Sequence, residues 1–211
     1  MRATQVVVRE AAHAKDAASV SNESAVAEQI PLYTDKLGLC TNGIPGEAAP
    51  KRPSWHSTVV SGLLAFVGIL SVSALHHETE ITAIIGSFGA SAVLLYDAIG
   101  SPLAQPRNVV GGHCVGALVG VTVYKAFGET QPLLACAVAV AFAIMLMDIT
   151  VTLHPPAGAT ALIAVLGPAP IHDLGYMYVL SPVMLGATIM TCVAVLGNNL
   201  VGQRRYPKRY W

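Results

Sequence analysis

Long uncharged apolar runs separated by short polar breaks dominate the chain from residue 57 onward. Residues 57–75 carry no charge and end at the cluster His76-His77-Glu78-Thr79-Glu80. At about 1.5 Å per residue such a run is a helix of roughly 30 Å, the thickness of a bilayer's hydrocarbon core. A second apolar run, 81–96, is interrupted by Gly86 and Gly89 and stops at Asp97. After the loop Ser101-Pro102-Leu103-Ala104-Gln105-Pro106-Arg107-Asn108 come runs at 109–127 and 132–147. His154-Pro155-Pro156 breaks the pattern before a shorter run, 157–166, and Gly167-Pro168-Ala169-Pro170 breaks it again before 180–201. This predicts an all-α membrane protein, a small polytopic bundle of four to six membrane segments. The two short runs, 81–96 and 157–166, either span or are re-entrant, since irregular backbone at membrane depth is tolerated only under protein cover.

Composition agrees. Hydrophobic residues make up 54% of 211 and charged residues 11%, where soluble domains carry about 25% charged. Mean hydropathy is +0.58. A formal net charge of zero gives no basis for a nucleic-acid partner. Residues 1–55, rich in charge, proline and glycine, read as a polar flexible tail. That tail lacks the apolar core of a secretory signal, and its acidic residues make it a poor organelle presequence. Residues 56–203 form the transmembrane domain, and 204–211, RRYPKRYW, read as a basic aromatic anchor for lipid headgroups. Cys40, Cys114, Cys136 and Cys192 are scattered and read as free thiols. With six segments, Arg107, Arg204, Arg205, Lys208 and Arg209 fall on one side and Lys125 on the other, as the positive-inside rule prefers.

The two halves echo each other. Gly89-Ala90-Ser91-Ala92-Val93 aligns with Gly158-Ala159-Thr160-Ala161-Leu162, and Gly116-Ala117 with Gly186-Ala187, at offsets of about 69 and 70. Half-repeats at about 57–127 and 132–201, each with three segments, would lie inverted in the membrane, as in many secondary transporters.

Several residues are candidates for chemistry. Gly112, Gly116 and Gly120 form two overlapping GxxxG steps and suit close helix packing; a narrow path lined by small residues is the alternative. In His154-Pro155-Pro156-Ala157-Gly158-Ala159-Thr160 the prolines suit a helix start near Pro156. Free N–H groups at Ala157, Gly158 and Ala159 would then make a weak anion site; an ordinary proline-capped break is the plainer reading. Gly86-Ser87-Phe88-Gly89-Ala90-Ser91 occupies the equivalent place in the first half, with Ser87 and Ser91 as donors and Phe88 as a constriction. His113, ionisable inside an apolar run, is either functional or a neutral side chain bonded to a neighbouring helix. Arg107 beside Asn108 either recruits anions or simply obeys the positive-inside rule. Asp148 could pair with His154, and Asn198 and Asn199 could cap the last helix or bond across the bundle.

No nucleotide loop, metal-ligand cluster or nucleophile–base pair is legible, so neither an enzyme nor a cofactor or metal is expected. His76-His77 is a poor ligand pair, because adjacent helical residues point about 100° apart. Two functions remain: a transporter or channel for a small anion, with histidine available for proton coupling, or a non-transporting subunit that packs in a homo-oligomer or larger membrane complex.

The runs GSFGASAVLL, SPLAQPRNVVGGH, TLHPPAGATAL, GNNL and RRYPKRYW, in this order, resemble the HPP family of integral membrane proteins over roughly residues 55–211. The resemblance implies a multi-pass membrane protein. It also implies nitrite as a candidate substrate and the plastid envelope as a candidate location, because plant plastid members are implicated in nitrite transport. The family is often described with four transmembrane helices, against the six segments read here.

Overall fold

A computed structural model describes residues 53–75, 85–202 and 204–209. The polar stretch 1–52 and the cluster at 76–80 lie outside the described residues. Every regular element among them is helical. Helices α1 (Trp55–Leu75), α2 (Ile85–Tyr96) and α3 (Pro106–Val123) form the first half. Helix α3 runs on through a π turn, Tyr124–Gly128. The second half comprises α4 (Pro132–Ile149), α5 (Pro155–Leu166), the short α6 (Ala169–Leu174) and α7 (Leu185–Asn199). A π segment, Val179–Met184, leads into α7, and Pro182 and the non-helical Ser181 kink the chain there. Helices α3, α4 and α5 each open on a proline, Pro106, Pro132 and Pro155, whose fixed φ and missing N–H suit a first helical position. For α5 the start is one residue before the expected Pro156.

Among the described residues, four helices are long and apolar enough to cross a membrane: Trp55–Ala74, Pro106–Gly128, Pro132–Ile149 and Val179–Asn199. The short helices α2 and α5 have 12 residues each, or about 18 Å. Hydrogen bonds between helix ends fix the directions. At one end, Ser61 near the start of α1 bonds Asp97 just past α2, and Asn198 near the end of α7 bonds the Leu95 carbonyl. At that same end Arg107 and Asn108 of α3 reach the Thr150 and Leu153 carbonyls between α4 and α5. The opposite end holds Tyr124 stacked on His172 and Lys125 over the Tyr176 ring. The six segments therefore alternate in direction, and α1–α3 run inverted relative to α4, α5 and α7. Arg107, Arg204, Arg205, Lys208 and Arg209 share the first end, called here the basic end, and Lys125 lies at the other.

Packing repeats with the sequence. A Cβ on Gly116 of α3 would run into the backbone carbonyl of Ala157 in α5, and one on Gly186 of α7 would sit 2.6 Å from the Phe88 ring of α2. Gly116 corresponds to Gly186 and Ala157 to Phe88, so both halves bury the same glycine against the same short helix. The ring at Phe88 fills the space that only a methyl occupies at Ala157. Helix α4 adds a ridge of buried Ala135, Ala139, Ala143 and Met147 that packs with α3 and α5. Leu63, Phe66, Leu70, Leu133, Phe142 and Leu196 point outward, an apolar exterior suited to lipid. The protein is an all-α, multi-pass membrane bundle.

Candidate functional site

Two imidazoles meet on one hydroxyl at the bundle's centre. Ser91 Oγ of α2 lies 2.8 Å from His113 Nε2 of α3 and 2.8 Å from His154 Nε2 at the start of α5. The other nitrogen of His113 is 2.7 Å from Thr160 Oγ1, and the other nitrogen of His154 is 2.9 Å from the Leu103 carbonyl. The rings stand edge to face with centroids 4.9 Å apart, and the Phe88 ring packs edge to face on His113 at 5.2 Å. Ser91, Phe88, His113, His154 and Thr160 are all fully buried. The repeat again shows: Ser91 and Thr160 are equivalent positions, and each binds one edge of His113.

Donor counting fixes where the protons sit. A carbonyl only accepts, so His154 carries its proton on Nδ1 and donates it to Leu103. Neutral His154 then accepts at Nε2 from the Ser91 hydroxyl. Ser91 has no second proton, so His113 must donate to it from Nε2. This leaves His113 Nδ1 accepting from Thr160. The chain reads Thr160 to His113 to Ser91 to His154 to Leu103, with every bond pointing the same way. Ser91 also has the Ser87 carbonyl at 3.3 Å, a second acceptor one hydroxyl rotation away. The partners of the two imidazoles are hydroxyls and a carbonyl, with no carboxylate among them.

Other expected residues fall elsewhere. Pro155 and Pro156 have no N–H, and the Ala157 N–H bonds the His154 carbonyl at 2.9 Å. A helix has only four donors without intrahelical partners. Two of these positions are prolines and a third is Ala157, so the expected row of free N–H groups is not formed. Gly158 and Gly89 face open space, away from the histidines. Arg107 and Asn108 are tied to the Thr150 and Leu153 carbonyls at 2.7 and 2.9 Å, so they brace the loop into α5. Asp148 is exposed and does not reach His154, whose nitrogens serve Ser91 and Leu103. Gly112 and Gly120 lie on the α3 face that meets His154 and Ala161, and Ser87 is buried on α2. Asn198 bonds across the bundle to Leu95 at 3.0 Å.

The basic segment differs most from expectation. Arg204 and Tyr206 turn into the bundle rather than toward headgroups, while Arg205, Lys208 and Arg209 stay exposed. The Arg204 guanidinium donates to the Tyr96 carbonyl at 2.8 Å, Asn198 Oδ1 at 3.0 Å, and the Ser57 and Ser61 hydroxyls at 2.7 and 2.6 Å. Tyr206 donates to the Ala104 carbonyl at 2.7 Å; burial raises its phenol above the ordinary value, which keeps it a donor. The sequence showed the cations but not that one has a ready-made set of acceptors. At the opposite end a cavity of about 580 Å³ is lined by Tyr124, Lys125, Glu129, Thr130, His172 and Asp173 among others, and includes none of the central cluster.

The family model described as HPP, transmembrane region, matches residues 50–207. Two curated transmembrane proteins of Dictyostelium discoideum are similar. One is 42% identical over 172 residues, covering 79% of this chain and 55% of its own length. The other is 38% identical over 175 residues, covering 80% of this chain and 61% of its own. The chain thus spans less than two thirds of the length of these relatives. No solved structure matches.

Proposed function

The chain belongs to the HPP transmembrane family, and on that premise we propose that it is a proton-coupled carrier of a small monovalent anion, with His113, Ser91 and His154 as the proton-binding site. The observation that carries the reading is the pair of buried Nε2 atoms converging on a single hydroxyl. Empty, the cluster is neutral and each nitrogen has a partner. A proton arriving at His154 Nε2 turns that nitrogen into a donor. The Ser91 hydroxyl then swings to the Ser87 carbonyl, and Ser91 Oγ accepts from both imidazoles. The site now carries a positive charge with no carboxylate among its described partners to balance it. An unbalanced charge at membrane depth costs about 3 kcal/mol, roughly a hundredfold in occupancy. A monovalent anion beside the imidazolium removes that cost, so proton and anion enter and leave together.

Nitrite, suggested by the family resemblance together with a plastid location, is the first substrate to test. The proposal is for transport rather than catalysis. Proteoliposomes loaded with a pH-reporting dye and given an inward nitrite gradient would acidify faster than protein-free vesicles. Equal rates with and without protein would overturn it. A second reading, a packing subunit of a larger complex, is favoured by one observation: Gly86, Gly89 and Gly158 look onto open space, as residues awaiting a neighbouring helix would.

A further inference from the structure

We infer that segment 204–209 is a strap that closes the basic end of the bundle over His154, so that its release is what opens the histidine cluster to water on that side. Three consecutive residues carry the argument. The Leu103 carbonyl takes the His154 Nδ1 proton at 2.9 Å. The next carbonyl, Ala104, takes the Tyr206 hydroxyl at 2.7 Å. The Gln105 side chain then accepts from the Lys208 and Arg209 amides at 2.8 and 3.2 Å, and donates back to the Ser101 and Ile99 carbonyls at 2.7 and 3.2 Å. The loop residues that cover His154 from the basic end are thus held from beneath by the histidine and from outside by the strap. Ala104 and Gln105 are themselves buried by this arrangement.

Arg204 pins the base of the strap. Its guanidinium bonds groups of α1, α2 and α7, and Ser61, one of its acceptors, donates a hydrogen bond to the exposed Asp97 carboxylate at 2.7 Å. The balancing charge is therefore reached through one hydroxyl, at the water-facing edge rather than in the core. Beyond Arg204, the strap holds the loop by a few neutral hydrogen bonds, each worth about 1 kcal/mol net. Such a contact can open without unfolding the helices it ties. Arg205, Lys208 and Arg209 are exposed, and of these three only the Lys208 and Arg209 backbone amides take part in the closure. Toward α3, His154 lies directly against Gly112, where an added Cβ would sit 2.6 Å from the His154 Cβ.

The inference depends on the proposed carrier function only for its consequence, and its test reads the geometry alone. Tyr206→Phe keeps the ring and removes the hydroxyl bond; Gln105→Leu removes the acceptor of the Lys208 and Arg209 amides at similar volume. The full chain in nanodiscs is treated with diethyl pyrocarbonate, which acylates unprotonated imidazole nitrogen, and each histidine is quantified by peptide mass spectrometry. Exposed His56 is the internal reference. Each variant should raise labelling of His154 about five-fold, the response to one lost hydrogen bond, with deeper His113 unchanged. Equal rises at His154 and His113 would mean general loosening of the bundle and would overturn the strap. So would unchanged His154 labelling in both variants.

Discussion

Ser91→Ala tests the hydrogen-bond chain at its narrowest point. The substitution removes one oxygen, leaves almost no void and keeps helix propensity favourable. What it takes away is the shared partner of two buried nitrogens, each 2.8 Å from that oxygen. Neither ring can swing freely to compensate, since His113 is held by Thr160 at 2.7 Å and His154 by Leu103 at 2.9 Å. His154 keeps an unmatched acceptor in any neutral tautomer, and His113 keeps either an unmatched donor or an unmatched acceptor. At about 1–3 kcal/mol for each buried unsatisfied group, and the lower end for acceptors that retain partial contacts, the loss should be about 2–4 kcal/mol. Equilibrium unfolding in mixed micelles measures it. The control is Ser71→Ala, whose hydroxyl bonds the Val67 carbonyl at an exposed position and should cost less than about 0.5 kcal/mol. Ser91→Thr supplies the residue found at the equivalent position of the second half and should restore part of the loss. A Ser91→Ala protein within about 0.5 kcal/mol of wild type, or a Ser91→Thr protein less stable than Ser91→Ala, would refute the reasoning.

Gly116→Ala should destabilise by about 1–3 kcal/mol, because the new methyl meets the rigid Ala157 backbone carbonyl and forces α3 and α5 apart; unfolding against wild type reads it. Gly158→Ala should be neutral or stabilising by up to about 1 kcal/mol, since a Cβ there meets nothing within 4 Å and alanine favours the helix. If Gly158→Ala instead abolished nitrite-driven acidification at unchanged stability, the anion would be passing along that face of α5. Arg204→Gln should cost about 2–4 kcal/mol, as it strips charge-assisted bonds from the Tyr96 carbonyl and the Ser57 and Ser61 hydroxyls; a change under about 0.5 kcal/mol would show that the network carries no stability.

The membrane segments and their inverted repeat were legible because lipid imposes length and apolarity on each run, and because glycine at a helix crossing cannot be replaced cheaply. Gly116 and Gly186 stand out in sequence for the same reason that they stand against Ala157 and Phe88 in the fold. The prolines of His154-Pro155-Pro156 marked the start of α5 but misled about its chemistry. They remove the very N–H groups an anion would need, and Ala157 spends its own on His154. His113 and His154 could each be singled out as polar residues in apolar surroundings. Their meeting on Ser91 could not, since it depends on three helices crossing at one depth. Arg204 was hidden for another reason. In sequence it is one cation among several, and only the converging carbonyls and hydroxyls of α1, α2 and α7 distinguish it from Arg205 beside it.

The central claim is that a buried, neutral His113–Ser91–His154 chain takes up a proton together with an anion. Nitrogen-15 NMR of labelled histidines in bilayers reads it directly. Without anion, His154 should carry its proton on Nδ1 and His113 on Nε2; on adding nitrite at mildly acid pH, one imidazolium signal should appear. Reversed tautomers, or an imidazolium signal whose intensity ignores nitrite, would contradict the account.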